Sequence, residues 1–143
     1  MIHDGGCHCG NVRVQLQLSK SPEDVAVRAC GCSFCRSHRP RMISDPMGLL
    51  RVSADRWDNV RLYRFGTRTC DFIVCGSCGV FVAAVSDARE RSPRAVINVN
   101  CLADRDRFSE TPAIHDFDGE TVETRLARRS ANWMPANIER EMR

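Results

Sequence analysis

An alternation of polar and apolar residues is the main pattern in the N-terminal two thirds of this chain. From Asn11 to Leu18 every second residue is apolar, which is typical of a strand with one buried face. Clusters containing Gly, Pro or Asp separate six further short apolar runs, at residues 25–30, 49–53, 60–65, 71–75, 80–85 and 94–100. Short strands between such turn residues predict a mainly β fold with antiparallel strands.

A helical pattern is visible only towards the C-terminus. Val122 and Leu126 are spaced i, i+4 within residues 120–130, and this spacing predicts a short C-terminal helical segment. Two polar segments, residues 36–48 and 104–119, are predicted to be loops. Loops beside a functional site often contribute residues to it, so both segments are candidates for function as well as for simple connection.

The chain contains no linker, repeat or low-complexity stretch. We therefore predict a single domain over residues 1–143, in which residues 104–143 form an extension packed on the rest. A content of 43% hydrophobic and 27% charged residues is typical of a soluble globular protein. No apolar run approaches the ~20 residues that span a membrane, and no signal peptide pattern is visible, so we expect a cytoplasmic location.

Seven of the nine cysteines fall into three tight clusters with the spacings CxC, CxCxxC and CxxC: Cys7 and Cys9; Cys30, Cys32 and Cys35; Cys75 and Cys78. An extended CxC or a tight CxxC turn directs both sulfurs to one ion. Seven thiolates divide most simply into a group of four and a group of three. Four sulfurs fill the coordination of a structural zinc, whereas three leave one position open, as in a catalytic zinc site. Spacing alone leaves the pairing open, because Cys7 and Cys9 could equally join Cys30 and Cys32.

Metal binding explains these cysteines better than disulfides do. Their number is odd, and cytosolic thiols are usually reduced. Seven thiolates and two Zn²⁺ ions would also bring the formal net charge of +3 close to zero. The composition therefore gives no general argument for binding nucleic acid.

The order of the three cysteine motifs resembles that of the glutathione-dependent formaldehyde-activating enzymes, a family grouped with centromere protein V. The matching segments lie within about residues 5–103, and they are residues 6–12, 30–36, 72–80 and, more loosely, 96–102. The resemblance implies small, layered β-sheets of the Mss4-like (β-tent) type with zinc knuckles.

The same resemblance implies two zinc sites and a reaction. It assigns Cys7, Cys9, Cys75 and Cys78 to the structural zinc, and Cys30, Cys32 and Cys35 to the open, catalytic zinc. The implied activity is that of a carbon–sulfur lyase, which reversibly adds glutathione to formaldehyde to give S-hydroxymethylglutathione, or acts on a similar small thiol or electrophile. The expected partner is thus a small-molecule thiol such as glutathione, with no nucleic acid and no membrane.

The loop after the three-cysteine cluster supplies the candidates for substrate binding. Arg36, Arg39 and Arg41 could hold the carboxylates of glutathione, because a guanidinium binds a carboxylate in a bidentate manner. His38 is a candidate base, a fourth zinc ligand, or an exposed loop residue. For each of these residues a solvated loop position is the alternative interpretation.

Two other functions fit parts of this pattern. In a non-enzymatic Mss4-like module that binds a protein partner, a fourth protein ligand such as His38 would close the three-cysteine cluster. A methionine sulfoxide reductase would need a free catalytic cysteine, and only Cys70 and Cys101 are left for that role. Both lie within or at the end of predicted strands, so we expect them to be small buried residues.

Overall fold

The computed structural model describes residues 1–88, 91–115 and 119–139, and in these residues the chain is mainly β, as predicted. The strands are β1 Ile2–Gly6, β2 Val12–Gln17, β3 Arg28–Cys30, β4 Met42–Ile43, β5 Leu49–Ala54, β6 Val60–Tyr63, β7 Asp71–Cys75, β8 Phe81–Val85, β9 Arg94–Asn98, β10 Ala113–His115 and β11 Met134–Glu139. The helices are α1 Ser33–His38 and α2 Val122–Asn132, with 3-10 turns at Pro22–Asp24, Trp57–Asn59, Val99–Cys101 and Arg105–Arg107.

The described strands form one branched sheet. Its main path runs β1-β2-β5-β11-β9-β4-β3-β10, and β8, β7 and β6 branch off from β9. Most pairs are antiparallel, as expected, but β10 pairs with β3 and β11 with β5 in parallel. Both parallel strands come from the segment after residue 104, which returns to the sheet from a distance in sequence and so is not restricted to hairpin pairing.

Alternating and continuous apolar runs both form strands, with different burial. In β2 the residues Val12, Val14 and Leu16 are buried while the residues between them are exposed, so one face packs on the core. All five residues of β8 are buried, as in a strand covered on both faces. The predicted hairpin around the CxxC motif is confirmed, because β7 and β8 pair antiparallel on either side of it.

Several elements were not predicted. The segment 36–48 was expected to be a loop, yet α1 continues into it and β4 follows. Cys32 begins this helix, since its sulfur accepts a hydrogen bond from the Cys35 amide. Arg39 ends the helix in a left-handed conformation, with φ of 50°. Residues 25–27 were predicted as strand but precede β3, although Val25 and Val27 are buried.

The buried residues form two apolar clusters. The larger contains buried apolar residues of β2, β5 and β9, and the smaller includes Cys32, Cys35, Phe81 and Trp133. No helix in the described part of the chain is long and apolar enough to cross a membrane. Residues 116–118 of the predicted second loop and residues 140–143 of the predicted domain lie outside the described residues.

Candidate metal centres and the adjoining cavity

Two tight turns bring four cysteines together. Cys7 follows β1 and Cys75 ends β7, and the turn after each places the second cysteine of its pair. The amide of Gly10 donates to the Cys7 carbonyl at 3.3 Å, and that of Gly79 donates to the Cys75 carbonyl at 2.9 Å. Both glycines have positive φ, 87° and 77°, a conformation that only glycine adopts at little cost.

The geometry of this four-cysteine cluster suits a tetrahedral ion. Its four sulfurs lie within 4.8 Å of one another. The Cys7–Cys9 sulfur distance is 3.7 Å and the Cys9–Cys75 distance is 3.6 Å. A tetrahedral ion with bonds of about 2.3 Å to sulfur needs sulfurs about 3.8 Å apart. An ion held here would tie the turn between β1 and β2 to the distant β7–β8 hairpin.

The three-cysteine cluster forms where β3 meets α1. Cys30 is the last residue of β3, Cys32 caps α1 and Cys35 lies in its first turn, and their sulfurs lie within 4.8 Å of one another. No fourth His, Cys, Asp or Glu from the described ranges 1–88, 91–115 and 119–139 joins this group. An ion bound by these three sulfurs would therefore keep one coordination position for another molecule.

The three thiols change one another's acidity through hydrogen bonds. Hydrogen bonds from Cys30 and Cys35 hold the pKa of Cys32 far below the usual range of a thiol. Hydrogen bonds to Cys30 and Cys32 raise the pKa of Cys35, and the bond to Cys32 also raises the pKa of Cys30. Of the three sulfurs, that of Cys32 therefore loses its proton most readily.

A cavity adjoins this cluster. The sulfur-bearing residues Cys30, Cys32 and Cys35 line it together with the buried Cys70. One part of its wall is apolar and consists of Met42, Phe65, Phe72, Phe81, Ala84, Val96 and Trp133. The other part is basic, with Arg28 from β3 and Arg125, Arg128 and Arg129 from α2. The three sulfurs thus border a partly open cavity with an apolar and a cationic side.

Comparison with known proteins decides the family. The family model described as glutathione-dependent formaldehyde-activating enzyme matches residues 2–118. The chain belongs to this family. A crystal structure of a Rhodobacter sphaeroides protein from a structural genomics programme is also similar, with 31% sequence identity and a TM-score of 0.58. That similarity covers 78% of this chain and 99% of the other.

The family match extends beyond the predicted residues 5–103 but ends before α2. The wall of the cavity therefore combines Arg28, from the part that matches the family model, with α2 and Trp133, which follow that part. Glu120 holds two of these arginines. Its carboxylate accepts hydrogen bonds from Arg128 at 3.0 Å and from Arg125 at 3.2 Å, which lowers the pKa of Glu120.

The arginines predicted from the loop do not line this cavity. Arg36, His38 and Arg39 are exposed, and the His38 ring stacks near Phe34, with their centroids 4.5 Å apart. The Arg41 guanidinium instead donates to Asn100 and to the carbonyls of Phe108 and Arg105. A role for these four side chains in binding substrate stays a prediction.

The contacts of Arg41 predict a structural role that can be measured. Arg41→Ala removes three hydrogen bonds from a charged donor, at 2.7, 2.9 and 3.1 Å. Because two of them are solvent-exposed, we expect a loss of only about 1–2 kcal/mol in the free energy of unfolding. Thermal melts should show this decrease, whereas Arg36→Ala, in the same segment but exposed, should melt like the wild type. Equal melting temperatures for both variants would contradict the structural role.

The two cysteines outside the metal clusters have suppressed acidity. Burial raises the pKa of Cys70, and it raises the pKa of Cys101 to about 12. The Cys101 sulfur lies 3.7 Å from the carbonyl oxygen of Phe81. Neither sulfur belongs to a ligand group, and neither environment favours the thiolate that a nucleophilic cysteine needs.

Sequence reasoning missed the arginines that do line the cavity, although two signals pointed to them. Arg28 and Cys30 alternate on one strand, so their side chains share a face. Arg125, Arg128 and Arg129 are spaced i, i+3, i+4 on the predicted helix and therefore also share a face.

Proposed function

We propose that this protein is a zinc-dependent carbon–sulfur lyase of the formaldehyde-activating type. It would act on a glutathione–aldehyde adduct such as S-hydroxymethylglutathione, or on a similar small thiol and electrophile. The observation that carries this proposal is the open three-sulfur cluster of Cys30, Cys32 and Cys35, which faces a cavity in a chain of this family.

The donor sets fit two zinc ions. Sulfur ligands at a spacing of 3.6–3.7 Å are suited to tetrahedral zinc, so the cluster of Cys7, Cys9, Cys75 and Cys78 would hold a structural ion. The three-cysteine cluster would hold the catalytic one. Zinc bound there supplies the chemistry that lowers the pKa of a thiol or polarises an aldehyde oxygen.

The reaction needs one bond change and one proton transfer. In the synthetic direction the thiol sulfur bonds to the aldehyde carbon, the carbonyl π pair moves to oxygen, and the proton lost from sulfur ends on that oxygen. The reverse step breaks the same carbon–sulfur bond. The apolar wall that includes Phe65, Phe72 and Phe81 would exclude water from the reacting atoms, and the basic wall would orient an anionic substrate.

The state of the cysteines supports a reducing compartment. None of the nine forms a disulfide, and seven would be metal ligands, which is the state that the cytoplasm would keep. We therefore propose a cytoplasmic enzyme. Arg36, Arg39, Arg41 and His38 remain candidates for contacts with parts of a substrate that extend out of the cavity.

Exchange spectroscopy tests the activity directly. With ¹H NMR at equilibrium, the protein should accelerate magnetisation exchange between hydrated formaldehyde and S-hydroxymethylglutathione above the spontaneous rate. Elemental analysis should find two zinc ions per chain. Two bound ions without any acceleration, for glutathione or for small thiols, would exclude the lyase and favour a zinc module that binds a protein partner.

A further inference from the structure

Arg28 is a cation without a partner in the described part of the chain. It is half-buried and lines the cavity, and although β3 pairs with β4 and β10 through its backbone, the Arg28 guanidinium makes no hydrogen bond or ion pair with any described residue. Arg28 and Cys30 are two residues apart on β3, so their side chains point to the same side, with α-carbons about 7 Å apart. A small ligand could therefore place its anionic group at Arg28 and an atom only a few covalent bonds away at the three-cysteine cluster.

Two further donors in the same cavity lack partners. Arg129 is 7% exposed and Trp133 is 5% exposed, and both line the cavity. The Arg129 Nε and the Trp133 Nε1 are buried without a hydrogen-bond acceptor, although the Arg129 Nη1 donates to the Thr69 hydroxyl at 2.7 Å. Buried donors are seldom left unpaired, because an unmade hydrogen bond is costly. Three unpaired donors in one cavity point to a ligand that brings acceptors.

The remaining wall limits what else the ligand carries. No Asp or Glu lines this cavity in the ranges 1–88, 91–115 and 119–139, so an ammonium group would find no carboxylate partner there. Among the residues that line the cavity, Thr67 and Thr69 have uncharged hydroxyl groups. The other lining residues are apolar side chains, arginines and cysteines. A peptide-like body with several amides and an α-ammonium group would leave most of its polar atoms unpaired in this space.

We propose that this cavity selects a compact, apolar thiol that carries a single carboxylate and no ammonium group, in preference to glutathione. Arg28 binds the carboxylate, Arg129 and Trp133 supply further hydrogen bonds, and the thiol sulfur faces the three-cysteine cluster. Selection thus depends on Arg28, within the part of the chain that the family model matches, and on α2 and Trp133, which follow that part. The preference rests on the proposed function, because it requires a metal ion at that cluster.

A matched pair of probe thiols tests this selectivity. The probes are 3-mercaptopropionate and its neutral amide, 3-mercaptopropanamide, titrated into the cobalt(II)-substituted full chain; sulfur-to-cobalt charge-transfer absorption reports thiol binding at the metal. We expect the carboxylate to bind at least ~10-fold tighter than the amide, because each charge-assisted hydrogen bond contributes about one decade or more. Glutathione should bind more weakly than 3-mercaptopropionate.

Single-residue variants show which side chains cause the preference for the carboxylate probe. Arg28→Gln should abolish the preference for the carboxylate and leave the affinity for the amide unchanged, and Arg28→Lys should restore part of it. Trp133→Phe keeps an aromatic ring but removes the N–H, and should weaken the binding of 3-mercaptopropionate but not that of the amide. Arg51→Gln, a change of an exposed arginine on β5, is the matched control and should retain the full preference. Metal content and circular dichroism establish that each variant folds.

Each other outcome overturns the proposal in a recognisable way. Equal affinities of the two probes for the wild type, or tighter binding of glutathione, would exclude the proposed selectivity while leaving the lyase proposal intact. If Arg28→Gln lowered the affinity for both probes by the same factor, Arg28 would only balance the charge of the sulfur cluster. If neither thiol changes the cobalt spectrum, the open metal site itself is wrong, and the proposed function fails together with this inference.

Discussion

Cys78→Ser should give a chain that does not reach a cooperatively folded state. Cys78 belongs to the cluster that joins the turn after β1 to the β7–β8 hairpin, two parts of the chain about 70 residues apart. Structural zinc contributes an apparent ~10–16 kcal/mol in small domains, whereas total stability is only ~5–15 kcal/mol. Loss of this ion therefore removes as much free energy as the fold has. Circular dichroism melts and metal analysis measure the effect.

Cys101→Ser is the matched control for this variant. Cys101 packs against the same apolar cluster as Cys7 and Cys78, but its sulfur is not part of the ligand group. This variant should therefore fold and keep both ions. A cooperative, near-wild-type melt of Cys78→Ser that lacks one ion would refute the structural role of the four-cysteine cluster.

Cys35→Ser should fold, bind one ion fewer and lose any lyase activity that the wild type has. Its cluster joins residues 30–35, which are neighbours in the chain, so its metal adds little to the long-range connectivity of the fold. Because the cluster leaves one coordination position free, a chelator can attack its ion directly, and in the wild type this ion should leave first. Metal analysis during titration with a chelator, together with exchange rates, gives both results.

Cys70→Ser provides the comparison for this site. Cys70 lines the same cavity and is 4% exposed, but it lies outside the ligand group. The variant Cys70→Ser should therefore retain two ions per chain. Simultaneous loss of both ions from the wild type, or full turnover by Cys35→Ser, would show that the division into a structural and a catalytic site is wrong.

Local patterns predicted the parts of this fold that depend on local physics. The alternation in residues 11–18 specified β2 because the side-chain period of a strand is two. The CxxC motif between two apolar runs specified the β7–β8 hairpin. The helix α1 was missed because its six residues form fewer than two turns, too few for a helical period to show in the sequence.

The C-terminal helix was predicted, but the reason for its packing was not. Val122 and Leu126, which suggested the helix, are 45% and 46% exposed, whereas Arg129 is buried. An apolar stripe normally marks the face that packs on a core. Here the arginine face of α2 covers the cavity instead, and it is stabilised there by Glu120 and by the Trp133 ring, 4.8 Å from the Arg129 guanidinium carbon.

The substrate side of the site could not be predicted from the sequence for a related reason. Arg28 and α2 are about a hundred residues apart, and only the complete sheet brings them to one cavity. Proximity in sequence therefore favoured the arginines that follow Cys35 as candidates for substrate binding. The two cysteine groups were predictable because spacing marks the motifs and the family resemblance implied their pairing, whereas residues that meet across a fold leave no such spacing.

The position of β11 affects how the protein is made. β11 lies in the interior of the sheet, between β5 and β9, although it is the last strand along the described chain. A ribosome synthesises β5 and β9 well before residues 134–139 emerge to join them. Until then the facing edges of these two strands carry unpaired N–H and C=O groups, which can pair with other nascent chains. The strand that completes the sheet is thus also the one whose late synthesis leaves the nascent chain with two open strand edges.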